Sequence, residues 1–322
     1  MPLPVALPNR TPPEPLPDNI PSIQPGGGVC YDIELAWGRW RRWFLRKFRP
    51  DYVRRIAALR QGDASGCPHE VIDSRDLKYY RNQCNASWPA EHDRFRWREK
   101  LPFARWGLAE LQLMGWPLLA ATALLAWLLP SPFCWLAIGP GVLLLLIVNF
   151  FRDPPRRLTT GAGLYLSPAD GKVVEITKLD HDEYIGGPAV RIGMFLTIFN
   201  VHVNRMPARA RVIRLKYNPG RFMSATNPES ALVNENMWMG LEEEDFPHRK
   251  YAMRQISGGI ARRIVCDVRP GEVLAQGHKF GMIKLGSRAE VIVPDEPGLE
   301  IIVPLGKWVK AGRDILCRYA AT

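Results

Sequence analysis

The longest hydrophobic stretch of the chain predicts a pair of membrane helices. Residues 111–151 contain no Asp, Glu, Lys or Arg, and a Pro-Ser-Pro turn at 130–132 divides them into two similar halves. A helix of about 20 apolar residues spans the hydrocarbon core of a bilayer, so the pattern predicts a transmembrane helical hairpin within residues 106–152. Two alternatives stay open: a re-entrant hairpin, which the Gly-Pro-Gly stretch at 139–141 favours, and a helical pair buried in a soluble core.

Basic residues on both sides of the hairpin predict its orientation. Because Arg and Lys are enriched on the cytoplasmic side of membrane helices, both ends are expected to lie in the cytoplasm. The domain that follows is then attached to the cell membrane on its cytoplasmic side. The flanking basic residues are Arg94, Arg96, Arg98, Lys100 and Arg105 before the hairpin, and Arg152, Arg156 and Arg157 after it.

Two different compositions precede the hairpin. Residues 1–28 are rich in proline and end in three glycines, a composition that buries too little apolar surface to order itself and predicts a disordered tail. Residues 29–105 form a basic, aromatic extension, in which residues 37–60 mix tryptophan and phenylalanine with arginine. Such a run suits an anionic membrane surface, nucleic acid or a packed helical extension with a solvated basic face. The net charge of +11 does not choose among them.

The six cysteines are spread thinly and contain no C-x-x-C pair. This spacing is unlike a disulfide framework and favours a reducing compartment. Cys67 and Cys84 with His69 carry atoms that bind metals, but their spacing fits no common site. We therefore expect no metal ion.

Short β-rich runs dominate the remainder, residues 153–322. Segments such as GKVVEITKL and AEVIVP alternate with turns rich in glycine, proline and asparagine. Strands of this length and spacing predict an α+β domain dominated by an antiparallel β sandwich or half-barrel.

Three residues of this domain together offer the parts of an activated serine. Asp170 precedes Gly171, His202 lies in the alternating segment FNVHVNR, and Ser287 follows Gly286. They supply an acid, a base and a hydroxyl nucleophile. Each also has a purely structural interpretation: Asp-Gly is an ordinary hairpin turn, a strand histidine is usually a satisfied polar residue, and Gly-Ser is a common dipeptide.

The order of motifs from about residue 150 to the end resembles the short form of phosphatidylserine decarboxylase. The apolar hairpin in front of them also fits that family, whereas the N-terminal extension does not match it. The motifs that carry the resemblance are, in order, FFRDPPR, SPADGKV, FNVHVNRMP, YNPGRF, NEN, QISGGIARRIV, FGMIKLGSRAEVIVP and GKWVKAG.

The resemblance implies an enzyme that makes its own cofactor. Ser287 matches the residue whose hydroxyl attacks the carbonyl of the preceding glycine, here Gly286, so that the chain is cut between them and Ser287 becomes a covalent pyruvoyl group. The family then implies decarboxylation of phosphatidylserine to phosphatidylethanolamine by the large and small chains together. His202 matches the base and acid, and Asp170 matches the residue that orients it.

Two positions depart from the family pattern. Leu285 stands where phenylalanine is more frequent, and Arg205 stands where longer members carry a second histidine. We therefore expect His202 to serve both self-cleavage and decarboxylation. The substrate headgroup carries a phosphodiester and a carboxylate, and Arg205 and Arg221 are the first candidates to bind it.

Two other functions are compatible with the residues. SPADGKVVEI and VPLGKWVKAGRDIL resemble pieces of a biotinyl or lipoyl carrier, in which Lys284 would bear a swinging arm and Ser287 would be inert. A non-catalytic membrane scaffold is the other. Self-cleavage distinguishes all three. As partners we expect phosphatidylserine, an anionic membrane and the molecule's own cleaved chains as a heterodimer; a homo-oligomer is compatible with this, and no nucleic acid is expected.

Overall fold

The computed structural model of the protein describes most of the chain: residues 10–223, 230–259, 263–284 and 287–320. Within those ranges the chain forms two compact units, a helical unit of residues 26–155 and 198–202 and a β unit of residues 10–25, 156–197 and 203–320. The predicted boundary between the hairpin and the catalytic domain, at residue 152, lies close to a unit boundary. The predicted segments 29–105 and 106–152 fall in one unit.

The helical unit contains α1 (Val29–Phe48), α2 (Pro50–Ala58), α3 (Leu108–Leu128) and α4 (Ile138–Phe150), with 3-10 turns at Arg96–Lys100, Arg105–Gly107 and Phe133–Ala137. Helix α1 ends where Arg49 leaves the helical conformation, and Pro50, whose φ is fixed near a helical value, starts α2. Arg46 and Lys47 lie in the last turn of α1, where positive charge complements the helix dipole.

Helices α3 and α4 pack against each other and correspond to the predicted hairpin. With the adjacent 3-10 turns they give two stretches, Arg105–Leu128 and Phe133–Phe150, that are long and apolar enough to cross a membrane. Only 6% and 11% of their most apolar windows are buried within the protein. A helix that is apolar all round belongs in a large core or in a membrane, so this exposure disfavours the buried helical pair.

The elements of the β unit are β1 (Leu164–Leu166), β2 (Gly171–Asp182), β3 (Gly187–Leu196), β4 (Val203–Arg205), β5 (Ala210–Asn218), α5 (Ser230–Val233), β6 (Asn236–Glu243), β7 (Lys250–Ser257), β8 (Arg263–Cys266), β9 (Val273–Leu274), β10 (Lys279–Lys284), β11 (Ser287–Pro294), β12 (Leu299–Ile301), β13 (Trp308–Val309) and β14 (Ile315–Tyr319). Over the described residues they form an eight-stranded sheet in the order β13-β2-β3-β11-β7-β6-β5-β9, and two smaller sheets in the orders β4-β10-β8 and β1-β14-β12. Paired strands run antiparallel. The protein is thus α+β with an antiparallel half-barrel sheet, which confirms that part of the prediction.

Strand β11 lies in the middle of the eight-stranded sheet and is buried along its whole length. Ala289, Val291 and Val293 belong to the hydrophobic core, as the two-residue period of a strand places them on one face. Arg288 and Glu290 alternate with them and form a buried ion pair, with Nε and Oε1 2.8 Å apart. Because the two charges are paired, the cost of burying them is offset. The face of the strand that carries them can therefore be buried as well as the apolar face.

Residues 10–25, here called the N-terminal strap, pack along the β unit. The side chains of Ile20 and Ile23 are 2% and 0% exposed, and the amide of Cys266 donates to the carbonyl of Ile23 at 2.8 Å. This ordered packing differs from the disordered tail that the proline content predicts. Composition averages over a segment, whereas individual buried residues such as these two isoleucines help to anchor this one. Residues 1–9 lie outside the described part of the chain.

Candidate active site

Ser287 is the first residue of β11, and its side chain is fully buried. Its cross-strand neighbours are Leu196 on β3 and Ser257 on β7. Among the described residues its Oγ has no hydrogen-bond partner, although most buried polar atoms are bonded. The buried Oγ of Ser257 opposite it also lacks a partner among these residues, so the distinguishing feature of Ser287 is its position at the start of β11. Gly286, the other residue of the predicted cleavage site, lies outside the described residues.

The predicted cleavage site lies where the chain passes from one sheet to another. Strand β10 ends at Lys284 and pairs with β4 and β8. Strand β11 begins at Ser287 and pairs with β3 and β7. A cut between β10 and β11 therefore interrupts neither strand, and both keep their hydrogen-bonded neighbours.

The Asn-Glu-Asn triplet holds the strand end opposite Ser287. Nδ2 of Asn234 donates to the carbonyl of Ser257 at 2.7 Å, and the amide of Ser257 donates to the carbonyl of Glu235 at 2.9 Å. In the sequence this triplet serves only as a family motif. Its structural role depends on a pairing between distant segments, which the local pattern does not reveal.

His202 is the residue directly before β4, and it is 1% exposed. Its Nδ1 lies 2.9 Å from the carbonyl oxygen of Asn200, and the centroid of its ring lies 4.3 Å from that of Phe150. Because a carbonyl oxygen can only accept, Nδ1 carries the proton of the neutral imidazole and Nε2 carries the lone pair. This tautomer is the one that a general base needs at Nε2.

Asp170, directly before β2, is held by the guanidinium of Arg156. Nη2 lies 2.7 Å from Oδ2, and Nη1 lies 2.7 Å from Oδ1. The amide of Ala311 also donates to Oδ1, at 2.8 Å. A charge-assisted hydrogen bond and a second close ion-pair contact from the same guanidinium hold the carboxylate in position.

Arg156, which the sequence places only in the basic flank of the hairpin, contacts a candidate site residue. The signal was its place in FFRDPPR, a motif shared with the family, but its charge equally suits the end of a membrane helix. Only the fold brings it to Asp170, fourteen positions along the chain.

The two arginines predicted to bind substrate have different surroundings. Arg205 is 6% exposed, and its Nη1 donates to the carbonyl of Gly277 at 3.1 Å. Arg221 is exposed. A buried guanidinium that bonds the main chain contributes to the fold, so Arg221 is the better candidate to meet an anionic headgroup.

Lys284, the modified residue of the carrier alternative, is 6% exposed. Its Nζ donates to Oε1 of Gln24 in the strap at 2.9 Å. A carrier lysine must project into solvent for a modifying enzyme to reach it. The burial of Lys284 therefore argues against a biotinyl or lipoyl carrier.

The predicted catalytic residues are divided between the two units. Asp170 with Arg156, and Ser287 with Ser257, lie in the β unit, whereas His202 belongs to the segment 198–202 of the helical unit. The acceptor at Nδ1 of His202 is a main-chain carbonyl. The orientation of His202 by Asp170 stays a prediction.

Comparison with known proteins identifies the family. The sequence pattern of the phosphatidylserine decarboxylase family matches residues 143–317, from within α4 to β14. The chain belongs to the phosphatidylserine decarboxylase family. This confirms the resemblance that the order of the motifs indicates, and it places Asp170, His202 and Ser287 inside the matched region.

Curated relatives named phosphatidylserine decarboxylase proenzyme are similar over most of the chain. One from Rhodopirellula baltica is 46% identical over 244 residues, which cover 76% of this chain and 99% of the relative. One from Syntrophus aciditrophicus is 38% identical and covers 70% of this chain and 98% of its own. One from Nitrosomonas eutropha is 39% identical, with 64% and 93% covered.

Proposed function

We propose that this protein decarboxylates phosphatidylserine to phosphatidylethanolamine with a pyruvoyl group that it makes from Ser287. The observation that carries the proposal is the state of this serine. It is fully buried, its Oγ has no partner among the described residues, and it begins a strand at a change of sheet. The names of the relatives supply the substrate, and the word proenzyme in those names supports self-processing.

Self-cleavage needs Ser287 to act as a nucleophile on Gly286. The Oγ attacks the glycine carbonyl and converts the amide into an ester, with the serine nitrogen as the leaving amine. Loss of the α proton then breaks the Cβ–Oγ bond and frees the large chain with Gly286 as its carboxyl end. The dehydroalanine that is left takes up water and loses ammonia, which gives the pyruvoyl group.

His202 is the proposed base and acid in both reactions. Nε2 takes the proton of the Ser287 hydroxyl, and later the protonated imidazole returns a proton to the carbon that has lost CO₂. The pyruvoyl carbonyl supplies the electron sink for that carbon, as a carbonyl cofactor does in other amino-acid decarboxylases. Asp170, held in position by Arg156, stabilises the protonated imidazole in this proposal.

The two products of cleavage are proposed to stay together as a heterodimer. The small chain begins with β11, which is hydrogen-bonded to β3 along all eight of its residues and to β7 along most of them. Both neighbours belong to the large chain. Arg221, exposed on the large chain, is proposed to bind the phosphodiester of the substrate.

We also propose that the protein is anchored in the cytoplasmic membrane through α3 and α4, with the β unit on the cytoplasmic side. The support is the apolar, exposed surface of these helices together with the basic residues on both flanks. Because the proposed substrate is a membrane lipid, an anchor in the membrane keeps the enzyme next to phosphatidylserine.

Helix α1 supports contact with an anionic bilayer. Trp37, Trp40, Phe44 and Phe48, here called the aromatic stripe, are between 37% and 53% exposed, and successive ring centroids are 4.8, 5.5 and 5.0 Å apart. Residues three or four positions apart share a helix face, and exposed basic side chains accompany the stripe. Rings and cations combined in this way suit the headgroup region, and α1 packs against α3. The accompanying residues are Arg39, Arg46, Lys47 and Arg49.

Intact mass spectrometry of the purified protein tests self-cleavage. The expected result is a large chain that ends at Gly286 and a small chain that begins with a pyruvoyl group. Borohydride should reduce the pyruvoyl carbonyl to an alcohol and so change the mass of the small chain. Ser287→Ala should give one uncut chain that releases no labelled CO₂ from phosphatidylserine vesicles. Ser257→Ala, which changes an equally buried serine on the neighbouring strand, should be cut and active. A single unmodified chain in an active preparation would contradict the proposal.

A further inference from the structure

Two cysteines of the N-terminal extension meet in the helical unit. The Sγ atoms of Cys67 and Cys84 are 2.9 Å apart. His69, the third residue with a metal-binding side chain in this segment, turns its Nδ1 towards the carbonyl of Glu70 at 3.1 Å. No cluster of three metal-binding side chains occurs within the described residues, so the pair is better suited to chemistry between its own sulfur atoms.

The main chain keeps the two cysteines close. An antiparallel bridge joins Gln61 and Ser87, and the amide of Asn85 donates to the carbonyl of Asp63 at 2.9 Å. A Cβ on Gly66, next to Cys67, would lie only 1.9 Å from the carbonyl oxygen of Gln83, next to Cys84. The two segments therefore run in direct contact, and the side chains meet because the backbones do.

We infer that Cys67 and Cys84 are a redox modification site that closes into a disulfide bond. The bond length of a disulfide is about 2.05 Å, so closure from 2.9 Å requires the sulfur atoms to move together by less than about 1 Å. Both cysteines are partly exposed, which allows a small oxidant to reach them. The oxidant is a low-molecular-weight disulfide of the glutathione class.

Thiol–disulfide exchange forms this bond in two steps. The thiolate of Cys84 attacks one sulfur of the oxidant, forms a mixed disulfide and releases one small thiolate. Cys67 then gives up its proton and attacks the Cys84 sulfur, which releases the second small thiol. Two cysteine thiols are oxidised, and one small disulfide is reduced to two thiols. Burial, and then the neighbouring Cys84, raises the pKa of Cys67 to about 12, which makes the second step the slower one.

Closure would link two segments that pack into one small apolar cluster, against which both cysteines lie. That cluster contains Val71, Leu77 and Ala86, and it continues to Trp88, whose Nε1 donates to the carbonyl of Ile56 in α2 at 2.9 Å. The disulfide would therefore fasten the segment after α2 to the chain that leads towards the hairpin.

The test uses the full-length protein in detergent, equilibrated in glutathione buffers from fully reduced to fully oxidised and then alkylated. Trypsin separates the two cysteines into peptides 61–75 and 82–94. In oxidising buffer we expect these peptides to appear joined, and the undigested chain that carries both cysteines to be lighter by about 2 Da than its reduced form before alkylation. Reduction should reverse both changes.

Cys67→Ser and Cys84→Ser should each abolish the joined peptide, whereas Cys30→Ser, a partly exposed cysteine elsewhere in the helical unit, should retain it. If both cysteines are alkylated, or each carries glutathione separately, in the most oxidising buffer, the inference is wrong. The result does not depend on decarboxylase activity.

Discussion

Replacing Glu242 by Gln should loosen the N-terminal strap. Burial alone would raise the pKa of Glu242, but hydrogen bonds from Thr11, then Arg10 and Arg211, outweigh it and lower the pKa to about 2. Arg10 and Thr11 belong to the strap, with Nε of Arg10 2.6 Å from Oε1 and the amide of Thr11 2.9 Å from Oε2. The charge on Glu242 is thus a principal attachment of the strap to β6.

The size of the effect follows from the depressed pKa. Lowering the pKa from 4.5 to about 2 corresponds to roughly 3.5 kcal/mol at about 1.4 kcal/mol per unit, or about 2–3 kcal/mol after allowance for solvent screening. This stabilisation is fully present above pH ~4.5, the value for the unfolded chain, and is lost as the pH falls towards ~2. At neutral pH the wild-type protein has all of it, and Glu242→Gln has little.

Hydrogen exchange followed by mass spectrometry measures the loosening. The amide of Glu14, which donates to the carbonyl of Ile213 at 2.8 Å, reports when the strap lifts from the sheet. A loss of about 2–3 kcal/mol should speed its exchange by about 30- to 150-fold. Glu300→Gln removes an exposed ion pair with Arg318, a type worth less than about 1 kcal/mol, and should leave exchange at Glu14 unchanged. Equal exchange rates at Glu14 in Glu242→Gln and Glu300→Gln would refute the role of Glu242 in holding the strap.

Other variants test the site and the anchor. His202→Ala should abolish CO₂ release and slow cleavage by at least about 100-fold, as a gel and labelled CO₂ from the cut fraction will show; normal maturation and turnover would mean that another residue is the base. Asp170→Asn keeps the shape of the side chain but removes its charge, and it should impair cleavage. Arg156→Ala should impair cleavage to the same degree, whereas Arg157→Ala, one residue away, should mature normally. A fully cut Asp170→Asn or Arg156→Ala protein would exclude the pair from cleavage. Deletion of residues 111–151 should free the protein from membranes, and a full-length protein that high salt alone removes would show that the hairpin is not inserted.

The sequence predicts the features that depend on local pattern or on motif order. The uncharged run gives the apolar helices α3 and α4, and the short alternating runs give antiparallel strands. Ser287 is singled out by its place among several family motifs. Each of these signals is contained within a short segment or in the order of segments, which a single sequence displays.

Features that depend on contacts between distant segments could not be predicted in this way. The strap is ordered because Ile20 and Ile23 meet the β unit, although proline-rich composition indicates disorder. Arg156 reaches Asp170 only in the folded chain, and the acceptor at Nδ1 of His202 is a main-chain carbonyl that no side-chain pattern could reveal. The proximity of Cys67 to Cys84 likewise follows from two crossing loops.

If the chain is cut as proposed, the central position of β11 limits how long each molecule stays active. A small chain that begins with this strand can leave only if the hydrogen-bond ladders to β3 and β7 both open, which amounts to unfolding the sheet. A fresh small chain therefore cannot replace one whose reactive end has been chemically spoiled. In the proposed mechanism each molecule generates its catalytic group once, so that after damage to that group the cell restores activity only by synthesising new protein.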